Sequence, residues 1–332
     1  MSRLRPAPHR SADPGAAAPE PRTGRTFVIL NPAAGRDDPA RLCRRIGEAF
    51  VARNATFDLE ETRHAGHATE LARQAAARGY RAICVVGGDG TLAEAIGGLA
   101  GTDVPLAIIP RGTANQVARN LGIPTRLEPA IDVAVRGVPI PMDFGHINGR
   151  TFALVAGAGY DAAVMAAATR DLKERWGFAA YLYAAIKAAL APARPVFRIV
   201  ADGHTIETRA ITVMIANMGR LFASLPHPSL PLSPHPDRAW NDGLLDLLIV
   251  APRSLPELAA LVWRAAHRRF TGDPRLLHLQ ARTISVHADP PAAVQIDGDP
   301  AGTTPITASV VPGGVRILVP TRAHLELVRR SN

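Results

Sequence analysis

The chain has 332 residues, which is enough for about two domains, and its 47% hydrophobic and 20% charged residues are typical of a folded globular protein. It contains no uninterrupted apolar run of about 18 residues, so we expect no transmembrane helix. The net charge of +9 favours contact with phosphates, including those of anionic lipids. All basic residues except Lys173 and Lys187 are arginines, a compositional bias that weakens the charge as evidence for nucleic acid, and we expect no nucleic-acid partner.

Residues 1–24 are rich in Arg, Pro and Ala and lack the apolar segment of a secretion signal, so we predict a disordered arm. The two cysteines, Cys43 and Cys84, lie in a helical and a strand-like stretch and are expected to be buried free thiols. Free thiols suit a cytoplasmic protein.

Strand and helix patterns alternate between residues 25 and 141. Short apolar runs predict strands at 26–30, 56–61, 81–86 and 105–110. Apolar residues at helical spacing predict helices at 39–52, at 66–79, at 92–100 and in a stretch ending near 121. This alternation predicts a doubly wound α/β domain with a mostly parallel sheet.

The pattern changes after residue 141, and strand signals without crossover helices predict a mainly antiparallel β-sandwich domain over 142–320. Its strands are predicted at 151–156, 196–201, 205–217, 244–250, 283–287, 294–296 and 315–319. Helical inserts are predicted at 161–190 and 254–270, with a Pro-rich loop over 225–237. A C-terminal helix is predicted over 321–332, and its packing against the first domain is left open.

Three glycine-containing loops each follow a predicted strand and precede a predicted helix: 31–35 (NPAAG), 87–91 (GGDGT) and 112–115 (GTAN). In a parallel sheet all three lie at the carboxyl edge, where ligands bind. Glycine allows close approach of a phosphate, and the following helix offers free N–H groups. The loops therefore indicate a polyphosphate ligand, although none is a Walker A loop or a dinucleotide fingerprint.

The order NPAAG, VVGGDGTLAE and IPRGTANQVARNLGIP resembles the diacylglycerol kinase catalytic-domain family, whose bacterial branch contains soluble lipid kinases related to sphingosine and ceramide kinases. LKERWGFAAYLYAAIKA, NDGLLDLLIV and VQIDGDP resemble later motifs of that family, so the resemblance covers roughly residues 25 to 330. It implies an ATP- and Mg²⁺-dependent kinase that phosphorylates a lipid hydroxyl, with diacylglycerol as the expected acceptor. The expected location is the cytoplasm, with peripheral contact at the membrane surface, and a homodimer is left open.

The resemblance also implies site residues. Those at the nucleotide are Asn31, Pro32, Ala33, Ala34, Gly35, Thr62, Gly88, Asp89, Gly90, Thr91, Leu92, Ala93, Glu94, Thr113 and Asn115.

The implied base, which takes the proton of the lipid hydroxyl, is Asp297 or Asp299, and the sequence does not decide between them. Lys173 matches a family lysine near the site.

Two magnesium roles follow from the same resemblance. Asp89 and Asp143 would organise magnesium and water around the phosphates. A structural magnesium would be held by Asp242 with backbone carbonyls from Ala239 and Leu244. A hairpin turn without metal is an equally good interpretation of the Asp242 motif.

Several features stay outside this assignment. The family usually has Asp where this chain has Gln116, which leaves a catalytically weak lipid or nucleotide sensor as one alternative, beside a kinase acting on NAD or another small molecule. His64 and His67 are three residues apart, but no carboxylate partner is evident in the sequence, so we assign no site to them. Arg264 lies on a basic helix face that is either solvated or docks on anionic lipid.

Overall fold

The structure is a computed structural model, and it describes residues 23–35, 37–160, 162, 194–221, 230–231, 239–266, 273 and 275–321. Nearly all of the predicted arm, the helical insert at 161–190 with Lys173, almost all of the 225–237 loop and the C-terminal helix lie outside the described residues. None of the helices in the described ranges is long and apolar enough to cross a membrane.

The N-terminal part alternates strands and helices as the sequence predicts. Its strands are β1 (Thr26–Leu30), β2 (Phe57–Glu61), β3 (Ala82–Gly87) and β4 (Leu106–Pro110), and they run parallel in the order β2-β1-β3-β4. Its helices are α1 (Pro39–Val51), α2 (His67–Ala77), α3 (Asp89–Leu99), α4 (Gln116–Asn120) and α5 (Leu127–Arg136), of which α5 was not predicted.

Strands β1, β3 and β4 are buried along their whole length because helices cover both faces of the sheet. Apolar residues of α2, α3 and α4 pack on one face, and those of α1 and α5 pack on the other. The doubly wound α/β domain is therefore confirmed. Cys84 is a buried free thiol, whereas Cys43 is only half-buried.

The C-terminal part is built mainly from antiparallel strands. In chain order its elements are β5 (Val138–Ile147), β6 (Arg150–Phe152), β7 (Val155–Gly159), β8 (Val196–Ala201), β9 (His204–Arg209), β10 (Thr212–Ala216), β11 (Arg220–Leu221), β12 (Leu230–Pro231), a 3₁₀ turn (Ala239–Asn241), β13 (Leu245–Val250), α6 (Leu255–Ala266), β14 (Leu276–Ala281), β15 (Thr283–Asp289), β16 (Ala293–Ile296), β17 (Asp299–Thr303) and β18 (Ile306–Val319).

One antiparallel sheet has the order β14-β13-β10-β7-β16-β17, and it faces a second sheet that contains β8, β15 and β18. Apolar residues from both sheets fill the space between them, among them Phe197, Val213, Ile249 and Ile284. This arrangement confirms the predicted β-sandwich.

The two parts share a sheet. Strand β18 pairs in parallel with β4 and antiparallel with β5, and the β5 pairing extends from Val319 beside Val138 to Ala308 beside Ile147. The parallel strands and half of the sandwich thus belong to one ten-stranded sheet. The boundary that we place at residues 141 and 142 falls inside β5, so it divides a strand rather than a linker.

Two predicted strands are each divided in the structure. The stretch 151–156 forms the ends of β6 and β7, with a break at Ala153 and Leu154 whose N–H groups bond a side chain instead of a strand. The stretch 205–217 becomes β9 and β10, which belong to different sheets. A strand that changes sheets must bend, and hydrophobic alternation alone does not reveal the bend.

Candidate functional site

The three glycine loops converge at the carboxyl ends of β1, β3 and β4. The Asn31 N–H donates to the Val86 carbonyl at 2.9 Å, and the Arg111 N–H donates to the Gly87 carbonyl at 2.8 Å. The second and third loops touch through bare backbone, because a Cβ on Gly112 would lie 2.6 Å from the Gly88 Cα. The close approach of the loops therefore requires glycine at position 112, and a Cβ on Gly88 would lie at a tight 3.2 Å from the Gly112 Cα.

Side-chain amides fix the shapes of the first and third loops. The Asn31 Oδ1 accepts the Ala33 N–H at 3.0 Å. Asn115 is in the left-handed region with φ 48°, and its amide closes on Gly112, accepting the N–H at 2.8 Å and donating to the carbonyl at 2.7 Å. Thr113, between them, is exposed, so its hydroxyl is accessible to solvent.

The Asp89 carboxylate connects the second loop to helix α4. Its two oxygens accept the backbone N–H groups of Gln116 at 3.0 Å and Val117 at 3.1 Å, the first residues of α4. Burial raises the pKa of Asp89, and these two donors oppose that rise. Asp89 therefore holds the third loop and α4 in place, while each oxygen keeps lone pairs for a further ligand.

The other residues that are expected to bind the nucleotide differ in their exposure to solvent. Thr62 follows β2, and its N–H donates to the Leu30 carbonyl at 2.8 Å, which places it beside the first loop. The side chain of Leu92 is buried in the core, and the buried Ala93 lines a cavity. Pro32 and Ala34 are half-buried and Ala33 and Gly35 are exposed, which leaves the first loop accessible.

Glu94 accepts hydrogen bonds at the start of α2. Its carboxylate accepts the N–H groups of Gly66 at 2.8 Å and Ala68 at 3.2 Å, and its carbonyl accepts the Thr69 hydroxyl at 2.8 Å. These contacts cap the first turn of the helix. The carboxylate thus fixes the loop between Thr62 and α2.

The Asp297 carboxylate is held by three consecutive backbone donors. Oδ2 accepts the Ala153 N–H at 2.8 Å, and Oδ1 accepts those of Leu154 and Val155 at 2.9 Å each. Burial raises the pKa of Asp297 to about 6, the three donors oppose the rise, and the charge of Asp89 adds to it. Backbone donors on both oxygens thus fix the orientation of the Asp297 carboxylate.

Asp299 differs from Asp297 in its surroundings. It is exposed at the start of β17, and its carboxylate has no hydrogen bond or ion pair within the described ranges. A Cβ placed on Gly90 would lie 4.0 Å from its Oδ2, so the carboxylate faces the second loop. Asp297 and Asp299 both line a cavity of about 510 Å³. Its other lining residues include Thr69, Arg73, Gly90, Glu94, Phe144, His146, Arg150, Thr151, Ile296 and Val311.

Asp143 lies in a different environment. It is 1% exposed, and its oxygens accept the N–H groups of Gly243 at 2.7 Å and Gly313 at 2.6 Å. It therefore ties the loop of the Asp242 motif to β18, at the shift in its pairing register between Val311 and Val315.

The Asp242 carboxylate accepts the Leu244 N–H at 3.0 Å and the Gln280 amide at 3.2 Å. Burial raises its pKa, the Leu244 donor lowers it, and the charges of Asp246 and Asp143 raise it further. Ala239 is buried in the 3₁₀ turn that precedes this loop. Across the described residues, Asp89, Asp143 and Asp242 do not form a group whose oxygens all lie within 4.8 Å of one another.

Sequence reasoning missed Asn217. It is fully buried, and its Nδ2 donates to the carbonyls of Asp143 at 2.8 Å and Ala153 at 3.1 Å. Its backbone N–H donates to the Leu154 carbonyl at 3.0 Å. Asn217 thus clamps the segment that holds Asp297, and only a buried amide at the end of an apolar strand could have signalled it.

The structure also changes two of the side observations. Glu70 supplies the carboxylate that the sequence did not show for His64 and His67, and ligand atoms of all three lie within 4.8 Å of one another. Arg264 makes an ion pair with the buried Asp273 at 3.0 Å, so it is tied to the protein. Gln116 is buried, and its backbone N–H donates to the Asp89 carboxylate.

Comparison with known proteins agrees with this arrangement. Residues 25–147 match the model of the diacylglycerol kinase catalytic domain, and residues 154–319 match that of the YegS C-terminal NAD kinase beta sandwich-like domain. A diacylglycerol kinase of Mycobacterium tuberculosis (strain H37Rv) is 35% identical over 315 residues, covering 90% of this chain and 96% of the relative.

A diacylglycerol kinase of Bacillus subtilis (strain 168) is 30% identical over 287 residues, covering 85% of this chain and 91% of the relative. A crystal structure of a diacylglycerol kinase from Bacillus anthracis str. Sterne has the same fold, with a TM-score of 0.69 at 23% identity, covering 90% of this chain and 97% of that one. Kinase relatives of this kind support phosphoryl transfer as the reaction. The chain belongs to the diacylglycerol kinase catalytic-domain family.

Proposed function

We propose that the chain is an ATP- and Mg²⁺-dependent lipid kinase that transfers the γ-phosphate of ATP to the hydroxyl of a diacylglycerol. The observation that carries this proposal is the position of Asp299. Its free carboxylate faces Gly90 in the loop that would hold the phosphates, and both residues line the same cavity. Phosphoryl transfer needs this combination of a phosphate cradle and a proton acceptor.

The nucleotide would bind to the domain formed by residues 25–141. Backbone N–H groups of 31–35 and 88–91, with the hydroxyls of Thr62 and Thr113, are the groups expected to contact its phosphates. Glu94 would contribute by holding the loop that follows Thr62, and Asn115 by closing the third loop.

Asp299 is the better candidate for the base. Three backbone donors occupy most of the acceptor capacity of Asp297, whereas the oxygens of Asp299 are open to an incoming hydroxyl. The position of a carboxylate matters before its pKa when a base is assigned, because a base must reach the proton that it removes. Asp297 would then be a positioning residue, which fixes the turn from β16 into β17.

The reaction balances with these groups. The lipid oxygen forms a bond to the γ-phosphorus while the bond from that phosphorus to the β,γ-bridging oxygen breaks. ADP carries away the electron pair of the broken bond. The hydroxyl proton passes to Asp299, and the products are a phosphorylated lipid and ADP.

Magnesium would be held through water by Asp89 and Asp143, and a second ion by Asp242 with the carbonyls of Ala239 and Leu244. A donor set of one carboxylate and two carbonyl oxygens fits a hard cation, and the carboxylates of Asp246 and Asp143 add negative charge near Asp242 that a cation would offset. When bound, magnesium neutralises charge on the phosphates.

The acceptor hydroxyl would be bound in the cavity lined by both carboxylates, between the domain formed by residues 142–320 and helices α2 and α3 of the first domain. Phe144, Ile296 and Val311 give this cavity apolar walls next to Asp297 and Asp299. An apolar wall beside a proton acceptor suits a lipid alcohol better than a dinucleotide. The enzyme would work from the cytoplasm through peripheral contact with the membrane.

The test is to incubate the purified chain with ATP labelled at the γ-phosphate, Mg²⁺ and either diacylglycerol in mixed micelles or NAD. Label on diacylglycerol, abolished by chelation of the metal, is the expected result. Label on NAD alone would replace the proposal with a nucleotide kinase. ATP binding without transfer to any acceptor would indicate a sensor.

A further inference from the structure

A second cavity, of about 770 Å³, lies at the far end of the β-sandwich from the glycine loops and is lined by arginines. We call it the arginine cavity. It is bounded by the end of β9, the segment after β13, the start of α6 and the residues just before β8 and β14. Its described lining residues are Arg194, Thr208, Arg209, Ala251, Arg253, Glu257 and Arg275. None of them belongs to the site described above.

The positive charge of this cavity is only partly neutralised. Among the described lining residues, four guanidinium groups face one carboxylate, that of Glu257, and this carboxylate already accepts the Arg253 backbone N–H at 2.7 Å. Arg275 forms a forked pair with Asp273, at 2.7 and 2.8 Å. Asp273 also pairs with Arg264, so most of the acceptor capacity of its carboxylate is already used.

Two of the arginines are available to a ligand. Within the described part of the chain, the guanidinium groups of Arg209 and Arg253 have no hydrogen bond or ion pair. Arg194 adds a third donor, because its Nε is buried and has no partner among the described residues, while its Nη1 donates to the Arg253 carbonyl at 3.0 Å. Like charges that share a cavity repel, and a bound anion removes that cost.

We propose that the arginine cavity binds a phosphate group. Guanidinium forks match the oxygens of phosphate and make charge-assisted hydrogen bonds to them. The cavity is large enough for a phosphate together with part of the molecule that carries it. The phosphate comes either from the headgroup of an anionic phospholipid or from a soluble phosphate compound. This proposal does not depend on the proposed kinase activity.

The test compares the full chain with R209Q/R253Q and with the control R41Q/R44Q. Arg41 and Arg44 are exposed on α1, so the control removes the same charge from a surface outside the cavity. One arm measures co-sedimentation with phosphatidylcholine vesicles that either contain or lack phosphatidylglycerol. The other arm measures the shift in melting temperature caused by sodium phosphate, against sodium chloride at equal ionic strength. Melting without ligand checks that each variant is folded.

We expect R209Q/R253Q to bind the vesicles or the phosphate about tenfold more weakly than the control does, because it loses charge-assisted hydrogen bonds. Loss confined to the vesicle arm identifies the headgroup, and loss in the phosphate arm identifies a soluble ligand. Phosphate bound at the glycine loops contributes alike to the wild type and to R209Q/R253Q, whose changes lie in the arginine cavity, so it cancels between these two. Equal binding of the two folded variants, or no binding by the wild type, would overturn the proposal.

Discussion

The side-chain amide of Asn31 donates a 2.8 Å hydrogen bond to the hydroxyl of Thr91. This bond joins the loop after β1 to the first turn of α3, across 60 residues of chain. The same amide fixes its own loop through the Ala33 N–H. One side chain therefore sets both the shape of the first loop and its distance from the second.

Asn31→Ala should weaken ATP binding more than it weakens the fold. The lost hydrogen bonds cost about 1 kcal/mol of unfolding free energy. We expect the KM for ATP to rise about tenfold, because two phosphate-binding loops lose their register. Steady-state kinetics and urea unfolding measure the two effects. An unchanged KM in the folded variant would mean that the loops keep their spacing without Asn31.

Asp297→Asn and Asp299→Asn should separate positioning from proton transfer. In the first variant an amide NH₂ replaces an oxygen that accepts backbone N–H groups, so unfolding free energy should fall by about 1–3 kcal/mol and activity should fall with it. In the second variant the exposed side chain has no partner to lose, so stability should stay constant while kcat falls at least about a hundredfold. Wild-type kcat in folded Asp299→Asn would exclude it as the base.

Gly112→Ala should push apart two of the loops. Its new Cβ would lie 2.6 Å from the Gly88 Cα and 3.0 Å from the Asn115 Oδ1, and backbone cannot yield as a flexible side chain does. ATP binding measured by calorimetry should fall more than tenfold. Gly47→Ala is the control. Gly47 lies inside α1, and its new Cβ would contact only the Phe57 ring, at an ordinary distance of 3.6 Å. Equal ATP affinity in the two variants would contradict the close-approach argument.

Much of the fold could be predicted because its signals are local. Buried runs such as that of β3 and the glycine loops after them are patterns of neighbouring residues. The hydrogen bonds that Asp143 accepts from Gly243 and Gly313 join residues 100 and 170 positions apart, so no local sequence pattern reveals them. For the same reason the sequence could not choose between Asp297 and Asp299. The proposed choice of Asp299 rests on N–H groups that bind Asp297 from about 140 residues away, at Ala153 and its neighbours.

Asp297 should make stability depend on pH below neutrality. Because its pKa is raised in the folded state to about 6, from about 4 in an unfolded chain, the folded state favours the protonated carboxyl. Its contribution to stability is complete below about pH 4 and is lost as the pH rises through about 6. The difference in unfolding free energy between wild type and Asp297→Asn should therefore shrink from pH 4 to pH 6. Urea titrations at several pH values measure it, and a difference that grows over this range would mean the pKa is lowered.

Glu94→Gln should loosen the start of α2 and, through it, the loop that follows Thr62. The carboxylate of Glu94 accepts two backbone N–H groups, and an amide can accept only one of them, so unfolding free energy should fall by about 1–2 kcal/mol. Asp202→Asn is a matched control, since Asp202 also accepts two backbone N–H groups, those of Arg282 and Thr283, in the sandwich. Both variants should lose similar stability, but only Glu94→Gln should raise the KM for ATP. Wild-type stability of Glu94→Gln would contradict its role as a helix cap, and an equal rise in KM for both variants would contradict a specific link from Glu94 to the nucleotide loop.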